Sequence, residues 1–185
     1  MKNILILSVL SLSLFSNAQK TVFGVSAGYN SLIATVKVDG TSASTSASGF
    51  YAGFFADIAT SEKFHVQPEV LISVTSKNGD SGNVLVVPIV GKYYFADKVN
   101  LQAGPQLDYI LEDDSEGIKK LGLGLVAGMG YDISDHFVAS VRYAFGLTNR
   151  LDETEFFTDP NDPFVADIDI KTTLSFFQVG IGYIF

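Results

Sequence analysis

The side chains of this chain that could do chemistry are few, and their spacing suits pairing better than turnover. Asp57, Glu69, Lys92, Asp108 and Arg142 lie in separate segments, with Gln67, Gln102, Gln106 and Gln178 around them. Gathered in one interior, such a set has to pair off, because desolvating an isolated ion is costly. The expected product is a plug-like network in which Glu69 meets Arg142 or Lys92, and the active alternative is a gated ion path. The two histidines, His65 and His136, would form a hydrolytic triad only beside a serine and a carboxylate, and no spacing assembles such a set. No catalytic residue is assigned. Two acidic stretches, Glu112 to Glu116 and Asp152 to Asp169, carry the oxygen ligands that hard cations prefer. Neither shows EF-hand spacing with its required glycine, so both read as solvated loop faces, with no metal and no cofactor assigned.

What must position the charged set is a series of strands. Side chains alternate between the two faces of a strand, and eight segments follow that two-residue period: Thr21–Asn30, Gly49–Ile58, Phe64–Thr75, Asn83–Phe95, Val99–Leu111, Leu121–Ile133, Phe137–Leu147 and Thr172–Phe185. In the last of them Phe177, Val179, Ile181, Tyr183 and Phe185 share one face, and Gln178, Gly180 and Gly182 the other. The segment Asn83–Phe95 is the least regular, since Val84, Val86 and Val90 share a face with Lys92. Tyr29, Tyr93, Tyr109, Tyr131, Tyr143, Tyr183 and Phe185 fall on apolar faces, as anchors would where a membrane meets water. Pro68, Pro88 and Pro105 interrupt strands; lacking an amide donor, they are expected near a rim or at bulges.

The connections are asymmetric. Ala59–Lys63, Ala96–Lys98 and Ser134–His136 are tight, whereas Ser31–Ser48, Ser76–Gly82, Glu112–Lys120 and Thr148–Lys171 are longer and polar. Short turns on one rim and long loops on the other match an outer-membrane barrel with its short side periplasmic. Composition agrees. Hydrophobic residues make up 47% of the chain and the mean hydropathy is +0.28, yet beyond the N-terminus no apolar run approaches the roughly 20 residues of a membrane helix. A barrel spreads its lipid-facing residues over many strands. The formal charge of −8 argues against nucleic acid as a partner. At the start, a basic Met1-Lys2-Asn3, an apolar Ile4–Phe15 and the small residues Ser16 and Ala18 form a secretory signal peptide. Residues 1–18 are therefore expected to be removed, leaving 19–185 as one barrel domain. The absence of cysteine excludes a disulfide framework and a lipoprotein anchor.

Six stretches carry a family resemblance: QPEVLIS (Gln67–Ser73), VPIVGKYYF (Val87–Phe95), LQAGPQLDYIL (Leu101–Leu111), GLVAGMGYDI (Gly124–Ile133), VRYAFGLTN (Val141–Asn149) and the terminal VGIGYIF. From Val22 to Phe185 the chain resembles the outer membrane β-barrel domain family common in Bacteroidetes. Many of its members are labelled "porin family protein", PorT-like barrels among them, and they share the architecture of OmpA-like barrels. The resemblance implies an all-β fold, an eight-stranded antiparallel up-and-down transmembrane β-barrel, in the outer membrane of a Gram-negative bacterium. It also implies that the final strand ending in Phe185 resembles the signal read by the barrel assembly machinery. The expected role is structural or surface-interacting and not enzymatic, with outer-membrane lipid and a surface ligand as partners. A narrow passive pore is the first alternative. A soluble lipocalin-like ligand-binding barrel is the second, and it would require the inverse pattern, with apolar side chains inside.

Overall fold

In the computed structural model, residues 20–38, 41–77, 80–112, 117–151 and 170–185 are described. The expected signal peptide and the acidic stretches, apart from Glu112, lie outside the described residues. Eight strands form one closed antiparallel barrel, each paired with its chain neighbour and the last with the first. They are β1 (Thr21–Val38), β2 (Thr41–Ala59), β3 (Phe64–Lys77), β4 (Asp80–Ala96), β5 (Val99–Ile110), β6 (Leu121–Asp132), β7 (Phe137–Gly146) and β8 (Ile170–Ile184). Among the described residues no helix is long and apolar enough to cross a membrane.

Alternation sets the two surfaces. In β6, Leu121, Leu123, Leu125, Met129 and Tyr131 point outward and are exposed, while Gly122, Gly124 and Val126 point inward and are buried. A one-residue slip would exchange the surfaces, so this pattern holds the register of every pair. Inside, Gly28 and Gly180 sit where the Tyr51 ring lies along the inner wall over β1 and β8, and a Cβ on either would meet that ring or neighbouring backbone. Aromatic bulk on β2 is thereby matched by missing bulk on β1 and β8.

Three expectations need correction. The described parts of Ser31–Ser48 and Ser76–Gly82 are strand, not loop: β1 runs on to Val38, opposite Thr41, and β3 to Lys77, opposite Asp80. The sequence TSASTSAS at 41–48 has a loop-like composition, but β-propensity yields to pairing context. Secondly, Pro68, Pro88 and Pro105 lie mid-strand on the adjacent β3, β4 and β5, with Pro68 opposite Ile89 and Pro88 opposite Gln106. The register is unchanged across them, and the shift in the β4–β5 pair comes later, at Tyr94/Ala96. Each proline removes a ladder donor without adding a residue to its strand. Thirdly, the interior is not wholly polar. Leu71, Val84, Val86, Val126, Ala144 and Phe176 form a buried apolar cluster with Tyr51, so the irregular face of β4 is an inward one packed on hydrocarbon.

Candidate functional site: the barrel lumen

Among the described residues, the carboxylates Asp57, Glu69 and Asp108 each meet a cation in the interior. Near the rim of short turns, Lys92 Nζ lies 2.6 Å from Asp57 Oδ2, and His65 Nδ1 lies 2.6 Å from Asp57 Oδ1. The His65 ring packs on Tyr94 at 4.9 Å between centroids. At mid-barrel, Arg142 on β7 reaches across to Glu69 on β3, Nη1 to Oε1 at 2.6 Å. Its Nε donates to Gln102 Oε1 at 2.5 Å, Gln67 donates to Glu69 at 2.8 Å and Gln102 donates to Asn100 at 2.8 Å. Toward the opposite end Asp108 pairs with Arg150, whose Nη1 also donates to the carbonyls of Lys119 and Lys120 at 3.1 and 2.9 Å.

Burial makes these pairs matter. Glu69 is 3% exposed, Asp108 2% and Arg142 7%, so each charge depends on its partner in place of water. Arg150 follows β7 in a connection outside the strands, and burial lowers its pKa from the ordinary value; a guanidinium nonetheless stays protonated far above neutrality. Between Tyr51, Glu69 and Arg142 the lumen keeps a cavity of ≈ 20 Å³, room for about one water molecule. Four of its lining residues, Ser26, Gln67, Asn100 and Asp132, each have a polar atom without a partner among the described residues. Toward the short-turn rim the barrel widens into a mouth of ≈ 500 Å³ lined by Glu62, Lys63, His65, Tyr94 and Asp132.

Asp57, Glu69, Lys92, Asp108, Arg142, Gln67 and Gln102 therefore all lie in the lumen and join pairs or hydrogen bonds there. Gln106 and Gln178 are equally buried, but neither Gln106 polar atom nor Gln178 Nε2 has a partner among the described residues. His136 stands apart, stacked on Tyr183 with Nδ1 3.0 Å from the Ile184 carbonyl. Outside, Tyr29, Tyr93, Tyr109, Tyr131, Tyr183 and Phe185 are exposed, and Tyr143 is half-covered by Phe145 at 4.6 Å. Sequence reasoning missed Arg150. A signal for it existed: of the five lumen charges read from the sequence, the carboxylates Asp57, Glu69 and Asp108 outnumber the cations Lys92 and Arg142 by one.

The fold is similar to that of Ail, the attachment invasion locus protein of Yersinia pestis, at 15% identity and a TM-score of 0.50, over 90% of this chain and 99% of that one. OprG, an outer membrane protein from Pseudomonas aeruginosa, aligns at 14% identity and a TM-score of 0.47, over 90% and 97% of the two chains. No curated protein matches the chain. The family model for the outer membrane protein beta-barrel domain matches residues 4–185, and the chain belongs to that family.

Proposed function

We propose that this outer-membrane barrel is a closed, non-conducting scaffold that holds its long connections at the cell surface, with a structural or surface-interacting role and no catalysis. The observation that carries this is the pairing of buried charge, Asp57 with Lys92 and His65, Glu69 with Arg142 and Asp108 with Arg150. A conducting path leaves charged groups facing water along its length; here three lumen carboxylates are each taken up by a cation, and an apolar layer adds to the blockage. In the same reading residues 1–18 are a signal peptide, the strand ending in Phe185 is handed to the barrel assembly machinery, and Tyr29, Tyr93, Tyr109, Tyr131, Tyr143, Tyr183 and Phe185 anchor the barrel at the lipid interfaces. A kinship with PorT-like Bacteroidetes barrels belongs to it too. Purified protein reconstituted in planar bilayers should show no steady unitary conductance. A stable single-channel level would establish the passive-pore alternative instead.

A further inference from the structure

Beyond the barrel rim β8, β1 and β2 continue as a three-stranded blade. β1 stays paired with both neighbours as far as Val38, opposite Thr41 on β2 and Ile170 on β8. Pairing of β2 with β3, in contrast, ends at Ser48 opposite Ser76. Thr41–Ala47 is therefore bonded on one side only among the described residues, and Lys77, hydrogen-bonded to Thr45, is the β3 side chain that reaches up to it. At 18 residues, about 3.3 Å each and tilted about 45°, β1 rises roughly 42 Å, well past an apolar band of about 25 Å. The blade stands on the rim opposite the short turns, which is the external rim of such barrels.

The two edges of the blade are treated differently. On the β8 side, Arg150 N donates to the Thr172 carbonyl at 2.7 Å. Asn149 Oδ1 accepts from Thr172 N at 2.9 Å, and Asn149 Nδ2 donates to the Ile170 carbonyl at 3.3 Å. That edge is capped. Within the β2 edge itself, from Thr41 to Ala47, there is no charge, no proline and no bulge, devices that protected edges use; the charge that reaches it, Lys77, bonds Thr45 and leaves Thr41–Ser44 clear of it.

We infer that the open β2 edge at Thr41–Ala47 is a docking site for an extended, acidic, amphipathic segment of another polypeptide, added as a fourth strand of the blade. Backbone amides and carbonyls aimed outward supply the bonds, as in other strand-addition complexes. The faces of the blade specify the incoming chain. Leu32, Val36, Val38, Ile170 and Leu174 lie on one side, continuous with the lumen core, with Thr41, Thr45 and Thr172 among them, so the guest carries apolar or β-branched side chains at alternate residues. On the other side Lys37 is directly opposite Lys171, and like charges placed so repel. Neither lysine has a counter-ion among the described residues, and a Glu on the guest opposite Ser42 would come within reach of Lys37. A second copy does not fit. Two barrels in one membrane share an axis along its normal, and strands tilted about 45° to that axis cross at roughly a right angle.

The docking rests on the outward orientation proposed above, and its test separates the two. The full chain, folded in lipid, is mixed with millimolar peptide of the sequence SLIATVEV, which copies residues 31–38 with Glu in place of Lys37. Amide hydrogen exchange is then followed at Thr41–Ala47. Exchange there should slow about tenfold, less with the unaltered SLIATVKV, and not at all when alternate peptide amides are N-methylated. No slowing with the Glu peptide, or equal slowing with the methylated one, would overturn the proposal. Full protection of these amides before peptide is added would overturn it too, showing that the chain covers its own edge. Conductance in bilayers would refute the closed plug and leave this result standing.

Discussion

Glu69 and Arg142 face each other from opposite walls of the barrel, and that geometry makes the cost of losing either one asymmetric. Arg142→Met leaves buried Glu69 with Gln67 as its remaining hydrogen-bond partner among the described residues, and an uncompensated buried charge costs about 3–5 kcal/mol. The double replacement Arg142→Met with Glu69→Leu should recover most of that loss, because two apolar side chains need no partner. Urea unfolding of the three variants in lipid vesicles would show it; a single variant as stable as wild type would deny the pair a structural role. At the outer end, a Cβ on Gly122 would fall on the Arg150 guanidinium. Gly122→Ala should therefore cost about 1–3 kcal/mol from overpacking in the native chain and close to nothing with Arg150→Ala present. Equal effects in both backgrounds, measured the same way, would mean that Arg150 is not seated over β6. The inward carboxylates were legible from alternation alone. Arg150 was not, because it follows β7 outside any alternating segment and reaches Asp108 only through the folded connection.

At the scale of elements, the β1–β2 hairpin divides into a part that closes the barrel and a part that does not. From Ser48 toward the barrel, β2 is paired on both sides; beyond it, among the described residues, the β2 backbone pairs only with β1. Replacing residues 34–45 with Asn-Gly, a two-residue turn suited to the Ile33–Ser46 pair, should leave the barrel folded, as its heat-modifiable gel migration would report. Leu32, which packs against the lumen core, is retained in that variant. Loss of the folded band would mean that the blade stabilises the barrel below it. The sequence marked the ends of these strands poorly. Serine and threonine runs carry no apolar alternation, and only the paired β1 backbone makes them strand. The prolines of β3, β4 and β5 were misjudged for a related reason: a closed ladder tolerates missing donors when neighbouring pairs hold the register.

The whole molecule turns hydrocarbon outward. Phe23, Phe50, Phe54 and Phe185 are 63–72% exposed, and much of the outer wall is Leu, Val, Ile and Tyr, far beyond the apolar patch that soluble monomers tolerate. Removal of detergent without lipid should therefore precipitate the protein, followed by light scattering, and a clear monodisperse solution would contradict a membrane barrel. Strand count, the two faces and the direction each faces were already written in the residue order, because alternation is a local property of a pleated backbone. Which buried charge meets which, that valine and phenylalanine fill part of the lumen, and that one blade edge is capped while the other stays open were decided by closure. Those relations join residues far apart in the chain, and only wrapping the sheet into a cylinder brings them within a few ångströms.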